Sequence, residues 1–213
     1  MRREREKIVL RKIVGIALLS GMAGAFAPTA HATDTLLAGK RLVIGNTVPD
    51  NEKRNRILVS ARDDQLGIGV PGGTGDPTCA GAGGGGGRIT FTSRTSGQSH
   101  TTPLPCQNWT GRKTGSWRYR DLELNDGTCK VVQIRSTRTL HAICLGRGPT
   151  VLDFDLQSGQ PQQPVDVVLE VGTGPDRYCM SFGGKVKSDG SDARNFTASD
   201  SPAPTACAVT PTP

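Results

Sequence analysis

Aromatic residues are scarce: five Phe, two Tyr and two Trp in 213 residues. Rings ordinarily carry much of a core's buried area, so Val, Leu and Ile must fill this one. Histidine is scarcer still, and no C-x-x-C spacing occurs; beyond the N-terminal segment only His100 and His141 remain. That excludes the common zinc-ligand patterns, and no other cofactor is implied. No Gly-x-Ser-x-Gly elbow is present to serve a hydrolase. Ser99-His100 and His141 are the only material for a Ser/His mechanism. Long stretches with helical periodicity are also missing. The 28 Gly and 14 Pro residues work against a helical bundle, because both are poor helix formers. The charges are too mixed and the β-branched content too high for a disordered chain.

The N-terminus is rich in what the rest lacks. Arg2, Arg3, Arg5, Lys7, Arg11 and Lys12 precede an apolar stretch from Ile13 to Leu19, which continues in small residues to Ala27. Ala30-His31-Ala32 has the pattern of a signal-peptidase site. Residues 1–32 are therefore expected to be a secretory signal peptide, with the mature chain starting at Thr33. The apolar run is shorter than the roughly 20 residues of a membrane span. The net charge of +7 falls to +3 once this segment's six basic and two acidic residues are set aside. Polyanion binding then loses its compositional support, and no nucleic-acid partner is expected. No later run is long enough to span a bilayer, so a secreted, periplasmic or cell-surface protein is expected.

All six cysteines, Cys79, Cys106, Cys129, Cys144, Cys179 and Cys207, follow the expected cleavage site. An even count in an exported chain predicts disulfides. Cys129–Ile134 and Thr139–Cys144 flank a polar tetrapeptide. A two-residue turn at Ser136-Thr137 would set Cys129 opposite Cys144, although Ser-Thr is not a favoured turn pair. Sequence order pairs the others as Cys79–Cys106 and Cys179–Cys207, the last pinning the C-terminal segment to the body.

Strands are predicted over 41–44, 56–60, 88–92, 116–120, 129–134, 139–144, 150–156, 165–171 and 177–182. Two of them alternate cleanly. Leu152, Phe154 and Leu156 oppose Asp153 and Asp155; Val165, Val167, Leu169 and Val171 oppose Asp166 and Glu170. Alternation of this kind marks strands with one buried and one solvated face. The expected fold is all-β: a single antiparallel, jelly-roll-like β-sandwich of about nine or ten strands over residues 33–207, stapled by disulfides. Residues 208–213 would form a mobile Pro/Thr tail.

The glycine run Gly81–Gly87 is followed by the strand-like Arg88-Ile-Thr-Phe91. A phosphate loop needs Gly-Lys-Ser/Thr and a helix there, so the run reads as a flexible loop. Lys187–Asp192 lacks the ligand spacing of a calcium loop and reads as a turn. The densest mixture of rings and cations comprises Trp109, Arg112, Trp117, Arg118, Tyr119 and Arg120. Rings stack on sugar faces and Arg pairs with anions, which makes this the candidate ligand surface. On a strand, however, Trp117 and Tyr119 share one face and Arg118 and Arg120 the other, which equally describes a core face with a solvated face.

The order of motifs resembles a family of uncharacterised exported bacterial proteins. Leu37-Ala-Gly-Lys-Arg-Leu42, Ser60-Ala-Arg-Asp-Asp64 and Asp76-Pro-Thr78 open the pattern; Leu104-Pro-Cys-Gln-Asn-Trp109, Trp117-Arg-Tyr-Arg-Asp121 and Cys129-Lys-Val-Val132 continue it. Tyr178-Cys-Met-Ser-Phe-Gly183 and Ala203-Pro-Thr-Ala-Cys207 close it. The resemblance implies a bacterial exported origin and one continuous domain, and carries no activity or ligand.

The leading expectation is a non-enzymatic binding or structural module outside the cytoplasm, with an extracellular glycan or surface protein as partner. Two alternatives stand beside it. A carbohydrate-binding module would need Trp109, Trp117 and Tyr119 exposed and roughly coplanar. A hydrolase, calcium-assisted or not, would need Asp153 and Asp155 beneath a cleft.

Overall fold

Alternating Val and Leu with a strong β preference make Val165–Val171 the middle of a sheet. A computed structural model describes residues 34–208 apart from 47–50, 68, 113–114, 136, 157–158 and 175. The expected signal peptide and most of the expected tail lie outside these residues. Thirteen strands are formed: β1 (Asp34–Leu36), β2 (Gly39–Asn46), β3 (Asn55–Arg62), β4 (Gly87–Ser93), β5 (Ser99–Pro103), β6 (Trp109–Arg112), β7 (Ser116–Arg120), β8 (Cys129–Arg135), β9 (Thr139–Leu145), β10 (Val165–Val171), β11 (Asp176–Phe182), β12 (Lys185–Asp189) and β13 (Asn195–Ser201). The smaller sheet has the order β1-β11-β10-β4-β5 and the larger β12-β13-β2-β3-β9-β8-β7-β6. All pairings are antiparallel except β1 with β11.

The two sheets pack face to face. Val165, Val167, Leu169, Phe91 and Met180 from one meet Leu42, Ile57, Val59, Val132 and Ile134 from the other in one continuous apolar core. The fold is thus the expected β-sandwich, with thirteen strands instead of nine or ten. The additional strands are short or polar. β5 turns His100 and Thr102 inward, and the inward residues of β13 include only Phe196 and Ala198 as apolar side chains.

Three expectations need correction. Residues 150–156 form no strand, yet Leu152, Phe154 and Leu156 are buried. Their alternation reports an extended chain laid on the core without a ladder partner. Asp166 and Glu170 are not solvated: they are 3% and 6% exposed. Burying a carboxylate unpaired is costly, and each is met by an arginine. Arg94 Nε and Nη2 donate to Asp166 at 2.6 and 3.0 Å; Arg88 forms the same fork with Glu170, its register partner across β4.

The third correction concerns the hairpin. Arg135 pairs with Thr139, so the loop holds three residues, with Arg138 at φ 61°. That shifts the register by one from a two-residue turn. A bulge between Cys129 and Val131 restores it, and Cys129 still lies opposite Cys144. All three expected disulfides form: Cys79–Cys106, Cys129–Cys144 and Cys179–Cys207. Such bonds belong to an oxidising compartment. Among the described residues no helix is long and apolar enough to cross a membrane.

The glycine run is a packed element rather than a bare linker. Gly83 to Gly86 all have positive φ, and a Cβ on Gly85 would lie 2.0 Å from the Thr78 carbonyl oxygen. Glycine is required there by both conformation and space. The segment from Lys187 to Asp192 spans the end of β12 and the turn into β13, where Asp189 accepts from Ser191 and Asp192 from Arg194 and Asn195.

Candidate functional site

The ring-and-cation cluster splits as strand alternation dictates. Trp109, Trp117 and Tyr119 are 4%, 4% and 0% exposed. Trp109 and Tyr119 meet edge to face at 5.5 Å and 63°, and Trp109 Nε1 donates to the Leu104 carbonyl at 3.0 Å. An exposed coplanar platform for sugar stacking is therefore not formed by these rings. All eight described aromatics, which include Phe91, Phe154, Phe182, Phe196 and Tyr178, are buried. Arg118 and Arg120 point outward from β7. Arg112 stands on the edge strand β6, and its side chain lies outside the description.

The carboxylate and Ser/His candidates are also separated. Asp153 is exposed, and Asp155 accepts from Asn46 Nδ2 at 3.3 Å; both stand on a segment that belongs to neither sheet. Ser99 and His100 face opposite sides of β5. Ser99 Oγ lies 3.1 Å from Thr92 Oγ1, whereas His100 Nε2 lies 2.9 Å from Thr128 Oγ1 in the interior. A nucleophile–base pair is not assembled. An Asp34–Cys179–Cys207 cluster has metal-like spacing, but both sulfurs are committed to their disulfide.

Burial pushes the His100 imidazole down to about 4, with the Asp153 charge opposing that shift. The unfolded chain, with a His pKa near 6.5, takes up this proton first. The stabilisation from neutral His100 is therefore complete above about pH 6.5 and lost as the pH falls towards 4. The expected loss is on the order of 3 kcal/mol. Thermal melts from pH 7 to 4 check this: His100→Gln should flatten the decline, and an undiminished decline in that variant would contradict it.

What sequence reasoning missed is the outer face of the larger sheet. Register places Arg41, Ser60, His141, Gln133 and Arg118 in one outward row across β2, β3, β9, β8 and β7. Arg62, Thr139, Arg135 and Ser116 form the adjacent row. On the other side Val43, Leu58, Ile143 and Val131 make an apolar stripe ending at Arg120. None of these five strands contains Asp or Glu. Arg41, Arg56, Arg62, Arg118, Arg120 and Arg135 make no ion pair among the described residues. At the margin, Lys40 is neutralised by Asp200 at 2.5 Å and Arg138 by Asp64 at 2.6 Å.

A depression of about 530 Å³ opens on this face between Arg62 and Arg135, with Ser60, Gln133, Thr139 and His141 along it. A smaller one of about 180 Å³ continues past Ser60 and His141 to Arg41. Arg135 Nη2 donates to Gln133 Oε1 at 2.8 Å, which orients its guanidinium over the sheet. Burial and the neighbouring Arg135 charge hold the His141 imidazole below its usual range. The arrangement offers arginine forks, hydroxyls, an amide and an imidazole, and no activated nucleophile among the described residues. These groups can hydrogen-bond and pair with anions. No family model, curated protein or solved structure matches the chain.

Proposed function

We propose that this protein is an exported, disulfide-stapled binding module without catalytic activity, and that it docks its partner on the outer face of the larger sheet. One observation carries the reading: across five adjacent strands the outward arginines Arg41, Arg56, Arg62, Arg118, Arg120 and Arg135 have neither an acidic residue in those strands nor an ion-pair partner among the described residues, while Lys40 at the margin pairs with Asp200. Elsewhere several arginines are closely paired, as at Arg94–Asp166 and Arg177–Asp34. An unneutralised, one-signed surface attracts partners of opposite charge and accelerates encounter. The signal-like N-terminus and three disulfides support action outside the cytoplasm. The resemblance to exported bacterial proteins points to a bacterial envelope as the setting.

Retention of the oxidised protein on a bacterial cell-envelope fraction tests this reading. The parent should be retained, and the Arg41→Ser/Arg62→Ser/Arg135→Ser variant should wash off, because removing exposed outward charges leaves the core intact. Equal retention of a folded variant would contradict it.

A further inference from the structure

We infer that this face binds an acidic polysaccharide, a sugar chain bearing carboxylates, laid across β2, β3, β9 and β8. The inference rests on the docking face proposed above and adds the chemistry of its occupant. Arg41, Arg62 and Arg135 are exposed and without ion-pair partners among the described residues. A planar guanidinium pairs with a planar carboxylate through two parallel hydrogen bonds. Arg62 and Arg135 sit on β3 and β8 with β9 between them, which separates their backbones by about 10 Å. Cations so spaced meet charges repeated along a chain better than a single small anion.

Between them lie the groups a sugar needs. Ser60 and Thr139 supply hydroxyls, Gln133 an amide, and His141 a ring nitrogen. Each can donate to or accept from sugar hydroxyls. Among the described residues the face exposes no Trp, Tyr or Phe ring for stacking, so a neutral sugar chain would lose its usual aromatic contact there, and charge pairing must supply the affinity.

Other polyanions fit less well. Single-stranded nucleic acid binds by stacking bases on aromatic rings, and all eight described aromatics are buried. Duplex readers place a helix or strands in a groove, and sheet readers of the minor groove wedge apolar side chains between base steps, which this face does not expose among the described residues. Insertion into an anionic bilayer needs exposed apolar anchors. Among the described residues the exposed large apolar side chains are Val70, Leu122 and Val151, which lie in connections, while the outward stripe of Val43, Leu58, Ile143 and Val131 is buried or half-buried.

Calorimetric titration of the full oxidised protein with polygalacturonate oligomers tests the inference, in about 0.15 M salt where only close charge contacts persist. Fully methyl-esterified oligomers of the same length are the uncharged control. Polygalacturonate should bind, the esterified chain should bind at least about tenfold more weakly, and Arg41→Ser/Arg62→Ser/Arg135→Ser should weaken binding by about tenfold or more. The variant's melting temperature should match the parent's. Equal affinity for the charged and esterified chains overturns the inference. So does tighter binding of a duplex oligonucleotide or of phosphatidylglycerol vesicles. Envelope retention that depends on the three arginines without polygalacturonate binding removes the polysaccharide and leaves the docking face standing. Retention indifferent to the three arginines removes the face itself.

Discussion

Trp117→Ala is expected to cost about 3–5 kcal/mol, the range for deleting a large buried ring. For a domain of this size that lowers the melting temperature by on the order of 10 °C. Trp117 is 4% exposed and belongs to the apolar core between the sheets. It packs beside Gly111 of the neighbouring strand, where a Cβ would lie 2.3 Å from its ring. The indole therefore fills space that glycine leaves for it, and truncation opens a cavity that the stiff sheet cannot close. Trp117→Phe should recover much of the loss. Calorimetric melts check both variants. A near-wild-type melt for Trp117→Ala, together with lost ligand binding, would show that the ring serves a surface and not the core.

The second large effect is expected at Cys129 and Cys144. Both are 0% exposed and sit among the core residues. Their separation is 15 residues, for which loop closure alone gives about 3 kcal/mol. The other two disulfides close loops of 27 and 28 residues, which on chain entropy is slightly more. Burial reverses that ranking. Cys79 is exposed and Cys207 half-buried, although Cys179 is 1% exposed, so each of those sites has one end that can relax when cut, whereas Cys129→Ala/Cys144→Ala loses packing inside the core at both ends. The double variant should melt at least as far below the parent as either corresponding Ala pair at the other two sites. A smaller drop than at Cys79/Cys106 would show that loop length, and not enclosure, governs the contribution.

Much of the fold was legible because it is written in side-chain period. The alternation of Val165–Val171 marked a strand with the observed bounds, and Ser116–Arg120 likewise. Alternation reports an extended chain, however, and not what covers either face. That is why Leu152, Phe154 and Leu156 read as a strand while lying unpaired on the core. It is also why Asp166 and Glu170 read as solvated while buried beneath arginines that come from β4 and the turn after it. β5 escaped notice because its inward residues are polar, with His100 bonded to Thr128 instead of packed in hydrocarbon. The site was hidden for a different reason. Net charge is an average over the whole chain. The acids lie in β1, β10, β11, β12, β13 and the connections, while β2, β3, β7, β8 and β9 have none. The absence is visible strand by strand, but only the sheet order shows that those five strands are neighbours.

The central claim is that this face is where a partner docks, and side-chain protection tests it most directly. Arginines would be modified with an arginine-specific dicarbonyl, with and without bound envelope material, and each site quantified by peptide mass analysis. The account predicts protection of Arg41, Arg62 and Arg135, with Arg94 and Arg177 of the opposite sheet unchanged. Protection centred on Arg94 and Arg177, or spread evenly over all five, would contradict it.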